Sequence, residues 1–303
     1  MKTTCAVTGA SGYLGSKLAD HLKSNGFDVI PVTRHPQSAR GIAFSFEAGV
    51  AEGAFRDAGI DALIHAAWDF TFTKEKEIFE ANVQGSIELF RRADAEGVDK
   101  LVFISTMSAY EGCKSLYGKA KLAVEREVSR LGGTIIRPGL IYGDEPRGMV
   151  GALTAAAKLS PILPMIGSGK YVLYLIHESD LAALITHFVL PNSQAARRPV
   201  IAASPEGHKF REIIKAFADL KGRKVTLIPL PWRLFWIGLK MTEALSIKLP
   251  FRSDSVISLV NQCPDPDFSE TAASEIPLLA FSSFVSTQAT RKSSKTATKS
   301  DHR

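Results

Sequence analysis

The sequence predicts an α/β protein built on a doubly wound parallel sheet, and three observations carry that prediction. Short apolar runs alternate with segments of helical period through the first half of the chain. A loop with glycines three apart joins the first apolar run to the first helical segment. A Tyr and a Lys four residues apart open a later helical segment and therefore share one of its faces.

Taken in order, strands are expected over residues 3–8, 28–32, 62–65, 101–105 and 134–137, with helices over 13–24, before 62, over 74–96 and over 117–131. Pro138-Gly139 closes the last of these strands. The second half is less regular: a Gly167-Ser168-Gly169 turn, a strand near 171–176, a helix over 179–189, a strand near 200–203 and a helix over 209–221. The resulting division is a nucleotide-binding domain over 1–165, with 178–203 packing back on it, and a smaller C-terminal substrate-binding region over 166–285. From 286 to 303 the chain is rich in Ser, Thr and Lys without apolar pattern, the composition of a disordered basic tail.

A chain of 303 residues with 45% apolar and 22% charged residues can bury a sizeable core, which excludes fibres and repeat arrays. Cys5, Cys113 and Cys263 are odd in number and lack metal-ligand spacing, so free thiols, no metal and a cytoplasmic location are expected. No signal-peptide pattern opens the chain, and its richest apolar segment, 231–250, is interrupted by charges, so no integral membrane segment is expected. The formal net charge of +6 is concentrated in the tail: five basic residues against Asp301 give 286–303 a charge of +4 and leave +2 for the rest. Nucleic acid is therefore not an expected partner; a small-molecule substrate is.

The loop Thr8-Gly9-Ala10-Ser11-Gly12-Tyr13-Leu14-Gly15 lies between strand and helix, where unpaired N–H donors and the positive helix end suit a pyrophosphate. Gly9 takes the tight turn, Gly12 allows close backbone approach, and Gly15 allows helix–strand packing. Ser11, Tyr13 and Leu14 complete the cofactor-binding candidates of this loop. The second strand ends Thr33-Arg34-His35, with no acid to hold a ribose 2′-hydroxyl and with Arg34 placed for a 2′-phosphate, so NADP is preferred to NAD.

Tyr117 and Lys121 form the candidate catalytic pair, since a nearby cation brings a phenol of ordinary pKa near 10 into working range. At this point the sequence resembles the extended branch of the short-chain dehydrogenase/reductase superfamily, the NAD-dependent epimerase/dehydratase-like proteins. The resemblance rests on Gly9-Gly12-Gly15, Asp61 with Ala62-Leu63-Ile64-His65-Ala66-Ala67, Asn82-Val83-Gln84-Gly85-Ser86, Phe103-Ile104-Ser105-Thr106, Tyr117 with Lys121, Arg137-Pro138-Gly139 and Ile176-His177-Glu178-Ser179-Asp180, over residues 3 to 285. It implies a Rossmann-type fold and hydride transfer at a secondary alcohol or ketone. Thr106, four residues before Tyr110, would bond the substrate oxygen, with Ser105 as runner-up. Tyr117 would exchange the proton, while Lys121 would hold the ribose hydroxyls and lower the phenol pKa. Asn82 would position a relay water and the lysine, or serve as a cap or packing residue. Asp61, His65, Ala66 and Ala67 would flank adenine and ribose, and the segment from Pro138 would close over the nicotinamide. A homodimer through the helices flanking Tyr117 is also implied.

Departures bear on the substrate. Met107 and Ser108 stand where dehydratase members carry an Asp-Glu pair, which disfavours loss of water. Leu173 replaces an Arg that binds a nucleotide phosphate in related epimerases. The expected activity is that of an NAD(P)-dependent oxidoreductase or epimerase acting on a nucleotide sugar in polysaccharide or lipopolysaccharide biosynthesis. The alternatives are a 3-beta-hydroxysteroid-dehydrogenase-like reductase of a hydrophobic ketone and a non-catalytic NADP-binding scaffold. The run Pro229 to Trp236 with the helix-like stretch after it is expected to pack as core over the substrate pocket, with a membrane-surface helix as the other reading.

Overall fold

The computed structural model describes residues 2–144, 148–245, 247, 249 and 251–300. By compactness the chain divides into two units, Met1–Pro138 with Glu178–Ala202 and Cys263–Ile276, and Gly139–His177 with Ala203–Gln262 and Pro277–Arg303.

The first unit is built on β1 (Thr4–Thr8), α1 (Tyr13–Ser24), β2 (Asp28–Thr33), β3 (Ile42–Ser45), β4 (Gly49–Val50), α2 (Ala54–Asp57) and β5 (Ala62–His65). Then follow α3 (Glu75–Ile78), a π-helical turn over Phe79–Val83, α4 (Gln84–Ala95), β6 (Lys100–Ile104), α5 (Leu116–Arg130) and β7 (Thr134–Pro138). The eight-stranded sheet runs β11-β7-β6-β5-β1-β2-β3-β4, where β11 is Val200–Ala202, and every pairing is parallel except β3 with β4. From β1 the chain winds outward through β2 and β3, then returns to the other side of β1 and proceeds through β5, β6 and β7. The winding reverses between β1 and β5, and in open α/β sheets ligands bind at the carboxyl ends of the strands flanking such a reversal.

The central strands β1, β5 and β6 are buried on both faces and read as near-continuous apolar runs. The helix expected before β5 is the short α2, and ahead of it the chain forms two strands the sequence does not announce, β3 and β4. Ile42 and Phe44 are buried while Ala43 between them is exposed, the two-residue period of a strand. The helix expected over 74–96 is interrupted by the π-helical turn, which contains Asn82.

The second unit contains β8 (Leu140–Tyr142), α6 (Gly148–Leu159), β9 (Ile162–Ile166) and β10 (Val172–His177). After α7 (Glu178–Phe188) and β11 of the first unit it resumes with β12 (Gly207–Lys209), α8 (Phe210–Leu220), β13 (Thr226–Leu230), α9 (Trp232–Ala244) and α10 (Ser253–Val260). Beyond α11 (Ser269–Ala273) of the first unit it ends in α12 (Phe281–Ser300). Its sheets are β12-β10-β8 and β13-β9. The first unit ends at Pro138 rather than 165 because β8 pairs with β10 and not with the large sheet. In α8, Phe210, Ile213, Ile214, Phe217 and Ala218 form one buried stripe, the spacing of an amphipathic helix on a core.

Two expectations for the second half require correction. Residues 286–300 continue α12 rather than forming a disordered tail; 301–303 lie outside the described residues. The physical reason is the docked first turn: Phe281 and Phe284 are buried with Tyr142 and Phe217, and a nucleated helix propagates at low cost. The stretch after Pro231 does not pack as core, since no residue of α9 is buried; its outer face is apolar nonetheless.

Candidate functional site

The glycine loop follows β1 directly. Gly9 has a positive φ of 68°, which only glycine adopts without strain, and its carbonyl accepts the Gly12 N–H at 2.8 Å. A β-carbon on Gly15 would lie 2.1 Å from that same carbonyl oxygen, so the start of α1 can sit on the turn only with glycine there. Ser11 and Gly12 are exposed and α1 has no side-chain cap, so its first N–H groups face outward as donors. Leu14 is half-buried in the same first turn. The Tyr13 phenol leaves the loop and donates to Glu178 of α7, which Lys17 also approaches at 3.5 Å. The Tyr13 ring is therefore engaged within the protein rather than open to a ligand. The geometry of this turn suits a pyrophosphate, and its residues fit a nicotinamide dinucleotide.

The expected base-flanking residues sit differently. His65 is fully buried: its Nδ1 lies 2.7 Å from Thr8 Oγ1 and its Nε2 lies 2.8 Å from Ser86 Oγ. Thr8 Oγ1 already accepts the Ala66 and Ala67 N–H groups, both at 3.0 Å, so its own proton goes to Nδ1 and His65 donates from Nε2. Burial, assisted by the Lys121 charge, holds this imidazole well below its ordinary pKa, in keeping with a neutral ring. His65, Ala66 and Ala67 thus clamp β5 onto β1, and their side chain and N–H groups are consumed within the protein; Ala67 backbone also closes the space beside Gly9. Asp61 lies at the opposite, amino edge of the sheet, where it accepts the Thr4 N–H at 2.7 Å. It cannot flank a nucleotide bound at the carboxyl edge. Arg34, just past the carboxyl end of β2, is exposed and forms no ion pair among the described residues.

The catalytic candidates converge at the carboxyl end of β6. Thr106 follows this strand, half-buried, and its hydroxyl accepts the Ser108 N–H at 3.2 Å, which leaves its proton to donate. Ser105, the runner-up, is buried and donates to Glu125 instead, so it is turned away from any substrate. Helix α5 begins with Ser115, which caps it by accepting the Gly118 N–H at 3.1 Å. A β-carbon on Gly118 would lie 2.2 Å from the Ser108 carbonyl oxygen, so this glycine lets α5 press onto the loop carrying Thr106. Tyr117 and Lys121 follow on one face of α5. Pro138 is buried at the end of β7, and its carbonyl accepts the Met107 N–H at 3.2 Å, tying that strand end to the same loop.

Lys121 departs from expectation. Its side chain is only 2% exposed, its Nζ donates to the Ile104 carbonyl at 2.7 Å, and the ammonium lies 4.1 Å from the Trp68 ring centroid and 4.5 Å from that of Phe103. Burial, opposed by the charge of Glu125, lowers its pKa to about 7. The Tyr117 ring centroid is 5.9 Å from Nζ, and burial raises the phenol pKa rather than lowering it. The lysine is thus drawn inward by a backbone acceptor and two aromatic faces, and desolvation outweighs its influence on the phenol.

Asn82 is also reassigned. Its Oδ1 accepts the Asp69 N–H at 2.7 Å and its Nδ2 donates to the Asp69 carbonyl at 3.0 Å, so the amide grips the loop after β5. That loop carries two residues the sequence reading missed. Trp68 packs edge-on against Tyr117 with centroids 5.6 Å apart, and Phe70, 60% exposed, lies at 5.8 Å. Glu125 was missed as well: Arg137 meets it with two bonds of 2.9 and 2.6 Å in a nearly closed site. Its signal was present in its position four residues after Lys121 on the same helical face.

The buried lysine has a measurable consequence. Between pH 7 and its ordinary 10.5 the unfolded chain binds a proton at Lys121 that the folded chain does not, so stability rises with pH there, by about 2 kcal/mol from pH 7 to 8.5. Cys5 acts in the opposite sense: burial, with Asp61 and Asp28 nearby, pushes its thiol up to about 12, so above its ordinary 9.0 the unfolded chain releases a proton and stability falls. Urea denaturation across pH 6 to 11 is expected to give a maximum between about pH 9.5 and 10, midway between the two ordinary values, where the opposing slopes cancel. Lys121→Met is expected to flatten the lower limb and to be more stable than the parent chain at pH 6; a parent chain with no such limb would contradict this account.

Comparisons with known proteins agree with this geometry. The sequence model of the "NAD dependent epimerase/dehydratase family" matches residues 5–201. The ceramide reductase of Caulobacter vibrioides is 28% identical over 241 residues, 75% of this chain and 73% of that protein. UDP-glucose 4-epimerase 2 of Oryza sativa subsp. japonica is 26% identical, over 84% of this chain and 79% of that one. The chain spans about half (52%) of another curated relative, an uncharacterized Sinorhizobium fredii protein. The solved UDP-glucose 4-epimerase of Thermus thermophilus, in complex with NAD, shares the fold with a TM-score of 0.62 and 22% identity, over 85% of this chain and 98% of that one. The chain belongs to the NAD-dependent epimerase/dehydratase family of Rossmann-fold, NAD(P)-dependent enzymes.

Proposed function

We propose that the chain catalyses hydride transfer at a secondary alcohol or ketone, with Tyr117 supplying the proton at the carbonyl oxygen. The observation that carries this reading is the state of Tyr117: a half-buried phenol, with its pKa raised, beside a hydroxyl at Thr106 that retains a proton to donate. A phenol that stays protonated at neutral pH is an acid, and so favours reduction of a ketone. When bound, the nicotinamide cofactor supplies or accepts the hydride. Gly9, Ser11, Gly12, Gly15 and the backbone of Tyr13 and Leu14 would hold its pyrophosphate. Thr106 would fix the substrate oxygen, Lys121 would support Tyr117 from beneath through its bond to the Ile104 carbonyl, and Asn82 would hold Trp68 and Phe70 against Tyr117. Met107 and Ser108 provide no acid-base pair for removal of water, so elimination is not part of the reading.

The first substrate class is a nucleotide sugar of polysaccharide or lipopolysaccharide biosynthesis, supported by the related UDP-glucose 4-epimerase. A hydrophobic ketone is the second reading. It is favoured by the aromatic pair Trp68 and Phe70 at Tyr117, by Leu173 in place of a phosphate-binding Arg, and by the related ceramide reductase. Loss of reduced-nicotinamide absorbance on adding a keto-sugar nucleotide supports the first class, and loss with a long-chain ketone supports the second. Silence with both, in cofactor-saturated protein, argues for the scaffold alternative and against the proposal.

NADP is the preferred cofactor in this reading, on the strength of exposed Arg34 and the lack of an acid at the end of β2. Fluorescence titration is expected to show NADPH binding roughly tenfold tighter than NADH, with the preference lost in Arg34→Ala. NADH binding the tighter, with Arg34→Ala unchanged, would end it. The homodimer through the helices flanking α5 belongs to the same proposal, and sedimentation equilibrium reads it directly.

A further inference from the structure

α9 presents apolar side chains on two sides, with Arg233 and Lys240 between them. Trp232, Phe235, Trp236 and Leu239 are partly covered, and the helix packs against α10. On its other side Leu234, Ile237, Met241 and Leu245 are 59%, 46%, 62% and 69% exposed, spaced three, four and four residues apart, and Ile247 and Leu249 extend the exposed row beyond the helix. Among the described residues, eight of the fourteen large apolar side chains that are exposed fall between 228 and 249. Scattered exposed apolar residues are ordinary, but such a concentration marks a surface that another phase or molecule covers.

Charge decides which. From Lys221 to Arg252 there are seven basic residues and a single acid, Glu243, a local charge of +6 that equals that of the whole chain. Glu243 accepts the Ser253 N–H at 2.7 Å and the Ser253 hydroxyl at 2.9 Å at the start of α10 and pairs with Lys240 at 3.5 Å, and the stretch holds no second acid for its other six basic residues. Arg233 and Lys240 are exposed on α9 itself. A second copy of this chain would bring +6 against +6, whereas an anionic bilayer offers both an apolar layer for the leucine and methionine side chains and phosphates for the cations.

We propose that α9 and the residues following it form an interfacial docking surface for an anionic lipid bilayer, the helix lying in the headgroup plane with Leu234, Ile237, Met241 and Leu245 inserted. No helix of the described residues is long and apolar enough to cross a membrane, and none is required for this mode of attachment. The proposal holds whichever substrate class the site accepts.

The test is flotation of the full-length chain with vesicles of phosphatidylcholine alone and of phosphatidylcholine mixed with phosphatidylglycerol. The chain is expected to float with the mixed vesicles and not with phosphatidylcholine alone. The double variant Leu234→Glu, Met241→Glu is expected to bind roughly tenfold more weakly or worse, with its circular dichroism unchanged because both sites are exposed. A variant with Arg291, Lys292, Lys295 and Lys299 changed to Ala is expected still to float, which separates this surface from the basic C-terminus. Failure to float with mixed vesicles, binding indifferent to the double variant, or binding lost in the C-terminal variant overturns the proposal. So does a dimer in sedimentation equilibrium that the double variant dissolves.

Discussion

Tyr117→Phe is expected to lower turnover about 10²–10⁴-fold, the ordinary contribution of a positioned acid, while leaving the unfolding midpoint close to that of the parent chain. The ring keeps its packing against Trp68 and Phe70, so only the hydroxyl, and with it the transferable proton, is removed. Cofactor binding, followed by fluorescence, should change little, which assigns the defect to the chemical step. The assay is loss of reduced-nicotinamide absorbance with whichever ketone proves to be a substrate. Turnover within about threefold of the parent enzyme would remove Tyr117 from the catalytic role and, with it, the central claim for this site.

Arg137→Ala is expected to cost about 3–5 kcal/mol of stability, because it leaves a carboxylate buried without its cation. Glu125 is 3% exposed, and its remaining partner is the Ser105 hydroxyl. The stranded negative charge should also raise the pKa of Lys121, whose charge Glu125 already favours. Adding Glu125→Met to Arg137→Ala should restore most of the loss, since replacing both members of a buried pair by apolar groups is commonly near neutral. Urea denaturation of the single and double variants measures this. A single-variant cost under about 1 kcal/mol would mean that the pair contributes nothing beyond an exposed one.

The two expectations draw on different kinds of information. Tyr117 and Lys121 were legible in the chain because four residues on a helix return to one face whatever surrounds the helix. The glycine loop was legible for a related reason: a positive φ at Gly9 and contact at Gly15 are requirements on single residues, and they leave a spaced mark. The positions of Trp68, Phe70 and Asn82 were not legible. Trp68 and Phe70 lie on a loop with no periodicity, and that loop is held by an amide from a π-helical turn thirteen residues further on. Arg137 and Glu125 sit on a strand and a helix twelve residues apart, and no sequence period connects them.

What the sequence by itself determined is therefore the local and periodic part: the alternating elements of the first unit, the glycine turn, and the Tyr–Lys pair. The tertiary structure alone decided the states of those groups. It buried Lys121 against a backbone carbonyl, so that desolvation lowers its pKa and the charge expected to activate Tyr117 loses to the cost of leaving water. It consumed His65, Ala66 and Ala67 in a clamp between strands. It also left α9 without a core to cover its outer face. Desolvation, competition for hydrogen bonds and exposure all depend on which segments come to surround a residue, and distant parts of the chain meet only when it folds.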